Sequence, residues 1–155
     1  MSDKDILIFL ADDDEDDRLI FEEAISEISE VMRLVKAQDG LKLLQMLTES
    51  IKLPDIIFLD LNMPFQSGKE TLKAIRSNKG YQHIPVVIYS TSANPSDIEE
   101  TFQAGGSLYL EKPYSMESMV KKLEKIFSIS WNNSVTVNRK DYFISSRESN
   151  SVSPN

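Results

Sequence analysis

Five short apolar runs, each followed by a stretch of helical spacing, limit what this chain can fold into more than any other feature. Ile6–Ala11 is apolar throughout, too short for a typical helix and without alternation. That is the pattern of a strand buried on both faces of a parallel sheet. Similar runs stand at Ile56–Leu59, at 86–89 and at 108–110, with a weaker, charge-bearing one at Met32–Ala37 that belongs nearer an edge. Helical spacing fills the gaps: Ile20, Phe21, Ala24, Ile25 and Ile28; Leu43, Leu44 and Leu47; Leu72 and Ile75; Ile98 and Phe102. A last stretch holds Met116, Met119, Val120, Leu123, Ile126 and Phe127. Pro54 and Pro85 precede the third and fourth strands, and Pro95 with Ser96 opens the helix after the fourth. Five strand-helix units predict right-handed crossovers and a doubly wound, five-stranded parallel α/β sheet with helices on both faces.

Composition agrees with one globular unit. The chain has 155 residues, 41% of them hydrophobic, which suits a single domain with a real core. No apolar stretch approaches the roughly 18 to 20 residues that cross a bilayer, and Met1, Ser2, Asp3 and Lys4 do not begin a signal peptide, so a cytoplasmic location without membrane contact is expected. There is no cysteine and a single histidine, His83, which excludes disulfides, thiolate chemistry and a histidine-rich metal site. The formal net charge of -8 argues against nucleic acid as a partner. Residues 129–155 break the pattern: seven serines, few apolar residues, and the aromatics Trp131, Tyr142 and Phe143. The sequence therefore divides into a domain over 1–128 and a C-terminal extension over 129–155, partly ordered or dimer-associated, with no separate effector domain.

The acid is concentrated where it should cost most. Asp12, Asp13, Asp14, Glu15, Asp16 and Asp17 directly follow the first apolar run. Ligands of open parallel sheets collect beyond the carboxyl ends of the strands. Those ends carry Asp12 and Asp13, Asp60, Ser90 with Thr91, and Lys112. Like charges about 4 Å apart repel by roughly 4 kcal/mol at an effective dielectric near 20, so a cation is needed among the carboxylates. With oxygen ligands only, Mg²⁺ (or Mn²⁺) is the natural choice. Asp14 is placed to cap the first helix, and the acids after it suit the positive N-terminal end of that helix.

Four segments resemble the receiver domains of two-component response regulators, to which chemotaxis regulators belong. They are Ala11-Asp12-Asp13-Asp14 closing the first strand, Leu59-Asp60-Leu61-Asn62-Met63-Pro64, Tyr89-Ser90-Thr91-Ser92-Ala93 and Glu111-Lys112-Pro113-Tyr114. They stand in family order at suitable spacing over about residues 4–128. The resemblance implies a flavodoxin-like (βα)5 fold with strand order 2-1-3-4-5. It implies Asp60 as phosphoacceptor, Asp13 with Asp12 and the Asn62 backbone carbonyl as ligands of Mg²⁺, and Lys112 as the contact to phosphoryl oxygens. It further implies a cis bond before Pro113, Ser90 and Tyr109 as switch residues, with Tyr109 turning inward as Ser90 moves, and Asn62, Thr91 and Ser92 as positions that tune phosphorylation lifetime. The donor would be a histidine kinase or phosphotransfer protein, and His83, in the connection before the fourth strand, is not that donor. The loop Phe65-Gln66-Ser67-Gly68 departs from many relatives before Gly68, whose retention should preserve the turn.

On this reading the chain is a phosphorylation-dependent signalling switch, not an enzyme with an independent substrate, and its phosphorylated surface binds a downstream protein. The alternative is an interaction module of the same fold that ignores phosphorylation. Asp12, Asp14, Asp16 and Glu23 have spacing like a calcium loop, but Asp17 occupies the position that needs glycine. A haloacid-dehalogenase-type phosphatase wants an acid where Asn62 stands, and a flavin phosphate would be repelled by the first loop. The extension, with Ile126-Phe127, Trp131 and Val135-Thr136-Val137, resembles the carboxyl end of small regulators that partner bacterial phytochromes. It is expected to pack on its own domain or on a twin in a homodimer.

Overall fold

The computed structural model describes residues 5–132 and 134–147. The expectations for Met1 to Lys4 and for the last eight positions lie outside these residues. The elements are β1 Ile6–Ala11, α1 Glu15–Ile28, β2 Met32–Ala37, α2 Gly40–Glu49, β3 Ile56–Leu59 and α3 Gly68–Ser77. There follow β4 Val86–Ser90, α4 Pro95–Gln103, β5 Leu108–Glu111, α5 Met116–Phe127, α6 Arg139–Tyr142 and β6 Phe143–Ile144. The sheet runs β2-β1-β3-β4-β5-β6, with all pairs parallel. β2 is the edge, as its charge requires.

Alternate residues of the central strands feed two cores, as the pleat dictates. Ile8, Leu10, Phe58, Val87, Leu108 and Leu110 pack with Phe21 and Ile25 of α1 and Met119 and Leu123 of α5. Phe9, Ile57, Leu59, Ile88 and Tyr109 pack with Leu43 of α2, Leu72 of α3 and Ile98 of α4. Phe21 meets the Phe58 and Tyr89 rings edge-on at 4.8 and 5.5 Å. Helix starts follow the local chemistry. Asp14 caps α1 by accepting from the Asp17 N–H, Ser67 and Glu70 form a reciprocal capping box, and Asn94 caps α4 ahead of Pro95.

The sequence reading lacks the sixth strand. Phe143 pairs with Tyr109 and Ile144 with Leu110, so the extension closes the β5 edge. A strand of two residues is too short to show any period. Tyr142 is fully buried and its hydroxyl lies 2.7 Å from Thr101 Oγ1. Gly106 makes room for it, because a Cβ there would overlap the Tyr142 hydroxyl. Glu111 accepts from the Ser146 N–H at 2.9 Å, Lys122 donates to the Ser145 carbonyl at 2.6 Å, and Arg139 pairs with Glu99 at 2.9 Å. Within one chain the described part of the extension thus packs on its own domain. Among the described residues no helix is long and apolar enough to cross a membrane.

Candidate functional site

Parallel pairing continues one step past several strands and thereby sets the site. Asp12 N–H donates to the Ala37 carbonyl, Asp60 N–H to Ala11 and Lys112 N–H to Ser90, at 3.1, 2.9 and 2.8 Å. Three side chains distant in sequence are thus fixed at one sheet edge. The loop after β3 folds back closely enough for the Gly68 N–H to reach the Leu61 carbonyl at 2.8 Å. A Cβ at Gly68 would overlap the Asp60 carbonyl, so only glycine permits this approach. Phe65, in the same loop, holds φ at 70° with its ring exposed to solvent.

Asp12, Asp13 and Asp60 each present a carboxylate oxygen, and these oxygens lie within 4.8 Å of one another. Asp12 and Asp60 are buried and Asp13 faces solvent. Asp12 accepts from the Asp14 N–H at 3.0 Å and from Lys112 Nζ at 2.9 Å. Asp60 accepts from the Leu61 N–H at 2.8 Å, while its other oxygen lies 3.9 Å from Lys112 Nζ, beyond hydrogen-bond reach. Burial pushes the Asp60 carboxyl up to about 7; Lys112 pulls it down, and Asp12 and Asp13 push it further up. Asp12 is raised as well, chiefly by burial against the pull of Lys112. Burial works against the Lys112 ammonium, but Asp17, Asp60 and Asp12 outweigh it and the net shift is upward. Three converging carboxylates with one cationic neighbour form a donor set that fits a hard divalent ion such as Mg²⁺ or Mn²⁺.

Beside this cluster, Ser90 is fully buried and its Oγ accepts from the Ser92 N–H at 3.1 Å. Ser92 donates through its hydroxyl to Asp97 at 2.8 Å, and Asp97 pairs with Lys69 at 2.7 Å. Tyr109 donates to the Ser92 carbonyl at 2.8 Å. Thr91 and Asn62 are exposed in the loops at the same edge.

Two details differ from the expectation. The described residues contain no cis peptide bond, so Lys112–Pro113 is trans; the two forms differ by only about 0.5–1 kcal/mol before proline, and the surroundings decide. The Tyr109 ring is already inside, because Tyr142 and Phe143 cover it at centroid distances of 6.2 and 5.7 Å.

Sequence reasoning assigned Asp17 only to the helix start, yet it accepts from Lys112 Nζ at 2.7 Å. It also passed over Arg18, which donates to the Asp12 carbonyl at 2.7 Å, and the Lys69–Asp97 pair. The signal for Asp17 was its place in the first turn of α1, close in sequence to Asp12 and Asp13; the partner could not be read from that.

Rcp1 of Synechocystis is 29% identical over 136 residues, covering 84% of this chain and 92% of that protein. The chemotaxis protein CheY-3 of Vibrio cholerae is 37% identical over 92 residues, 59% of this chain and 69% of that one. The structure of the phosphorylated cyanobacterial phytochrome response regulator RcpA superimposes with a TM-score of 0.75 at 28% identity, covering 84% of this chain and 96% of RcpA. The Mn²⁺-bound form of Rcp1 superimposes with a TM-score of 0.72, covering 85% and 98%. With the family pattern matching residues 8–124, the chain belongs to the response regulator receiver domain family of two-component signalling.

Proposed function

We propose that the chain is a phosphorylation-dependent switch that takes a phosphoryl group onto Asp60 from a phosphohistidine of a histidine kinase or phosphotransfer protein. The observation that carries this is the Asp60 carboxylate standing among Asp12, Asp13 and the Lys112 ammonium at one sheet edge. A strand-end carboxylate so placed is a nucleophile for phosphorus. An Asp60 oxygen of the ionised carboxylate forms the new P–O bond as the donor's P–N bond breaks, and the freed imidazole nitrogen keeps the electron pair and takes up a proton from solvent. Such transfers need positioning and charge neutralisation more than covalent help. Asp12, Asp13, Asp60 and the Asn62 carbonyl would hold Mg²⁺ (or Mn²⁺), which, when bound, would neutralise charge on the phosphoryl oxygens. Lys112 supplies the protein's own cation. The Ser90 hydroxyl turns to a phosphoryl oxygen, a bond worth about 1.5–3 kcal/mol, enough to shift a two-state equilibrium at least tenfold. Tyr109 shares the Ser92 loop and reports that movement on the α4–β5–α5 face; Asn62, Thr91 and Ser92 set the lifetime.

The chain acts in the cytoplasm as a receiver over 1–128 with an extension over 129–155, signals by binding a downstream protein, and turns over no substrate beyond its own acyl phosphate. A homodimer formed through the extension would compete with the contacts the extension makes in its own chain.

Incubation with Mg²⁺ and phosphoramidate should add one phosphoryl group by intact mass, and none in Asp60→Asn. An unmodified wild type would leave the phosphorylation-independent module as the better reading.

A further inference from the structure

We infer that Asp17 is a positioning residue that holds the Lys112 ammonium on the α1 side of the site, away from Asp60, and thereby slows phosphoryl transfer. The inference rests on Asp60 being the phosphoacceptor.

Lys112 Nζ is anchored from two directions. Asp12 accepts it at 2.9 Å and Asp17 at 2.7 Å, while Asp60 is left at 3.9 Å. The Tyr89 ring closes the remaining side, with its centroid 4.9 Å from the ammonium. The two anchors are unequal in freedom. The Asp12 side chain is fully buried and its other oxygen is held by the Asp14 N–H, so it cannot follow the lysine or release it easily. Asp17 sits on the first turn of α1 with its side chain 29% exposed, so water can take over its hydrogen bond. To reach hydrogen-bond distance of an oxygen on Asp60, the ammonium must move about 1 Å, and the Asp17 contact is the one free to yield.

Charge acts in the same direction. Asp17, in the first turn of α1, is a further carboxylate at the site and is not one of the three, Asp12, Asp13 and Asp60, whose oxygens converge. A phosphoryl group arriving at Asp60 adds negative charge to a site where Asp17 already competes for the same lysine. Removing the Asp17 charge relieves the repulsion and frees the donor together.

The test compares three full-length proteins with phosphoramidate and Mg²⁺: wild type, Asp17→Asn, and Asp16→Asn, which removes an exposed acid one position earlier on the same turn. Phosphorylation rates come from intact-mass time courses. Asp17→Asn should react about three- to tenfold faster than wild type, and Asp16→Asn within about twofold of it. Beryllofluoride affinity with Mg²⁺, followed by ¹⁹F NMR, should tighten in Asp17→Asn alone, a change that a merely structural acid would not produce. Asp17→Ser, another good helix-start residue, repeats both measurements should Asn disturb α1. If Asp17→Asn and Asp17→Ser match wild type, react more slowly, or gain no more than Asp16→Asn, the positioning role is overturned while the phosphoacceptor assignment stands. If the wild type takes up no phosphoryl group at all, the assignment of Asp60 falls and this inference falls with it.

Discussion

Asp60 is a carboxyl that the fold makes reluctant to ionise, and this has a measurable cost. Its folded value near 7 lies above the ordinary 3.8, so the folded protein binds that proton more tightly than the unfolded chain. The stability this supplies is complete below about pH 4 and is lost as pH rises through 7. Without divalent cations, thermal stability should therefore fall between pH 4 and 8. Asp60→Asn, which cannot ionise, should raise stability at pH 8 by about 2 kcal/mol and by little at pH 4. Adding Mg²⁺ at pH 8 should recover about 2–3 kcal/mol in the wild type at a hundredfold excess over Kd, because the ion binds the folded state alone. It should recover much less in Asp60→Asn. Calorimetry over pH 4–8 checks both; a wild type whose melting temperature ignores pH and Mg²⁺ alike would contradict the crowded-carboxylate description.

At the scale of elements, Arg76 is the tie among α3, β4 and β5 at the foot of the sheet. From α3 it donates to the Gly105 carbonyl at 2.8 Å, the Ile84 carbonyl at 2.8 Å and Ser107 Oγ at 3.2 Å, and Ser107 Oγ also accepts from the Val86 N–H at 2.9 Å. Burial lowers its pKa, and no carboxylate pairs with it among the described residues. Arg76→Met keeps much of the stem and removes the donors, stranding carbonyls at the starts of β4 and β5. Stability should drop by about 2–3 kcal/mol in urea, while phosphoramidate uptake, at the other end of the sheet, stays within about twofold. Nothing in the sequence singled out Arg76. The strands β1, β3, β4 and β5 were legible because burial on both faces leaves unbroken apolar runs, and Asp12, Asp60 and Lys112 because each follows such a run. The Arg76 ties and the Asp17–Lys112 pair, which joins residues 95 apart, depend on how elements meet, and residue order does not carry that. β6 escaped for another reason: two residues are too few to show a period, and the Tyr142 beside them sits in the space that Gly106 leaves open, a fit that residue order does not carry.

Over the whole molecule, the extension turns a five-stranded receiver sheet into a six-stranded one and sets the Tyr142 and Phe143 rings against Tyr109. Its attachment combines the Tyr142 ring, edge-on to Phe102 at 5.2 Å, with the short β6 ladder and the Lys122, Glu111 and Arg139 contacts. A buried aromatic truncated to alanine costs about 3–5 kcal/mol when the surroundings stay in place. Here the surroundings have another choice. If holding the extension in place with the cavity costs more than releasing it, the segment detaches, and the observed loss equals only its docking free energy. Tyr142→Ala therefore measures that quantity from below. A loss of about 3 kcal/mol in one cooperative transition means that the segment folds with the domain. A smaller loss with rapid proteolysis after Lys140 or Arg147, and a core that still melts cooperatively, means separate release. The packing of Tyr142 between Phe102 and Tyr109, with its hydroxyl on Thr101, favours the first outcome. Fluorescence-detected urea unfolding and limited trypsin digestion of the same variant distinguish the two. A loss below about 1 kcal/mol with no change in proteolysis would mean that the extension does not hold the β5 edge in solution.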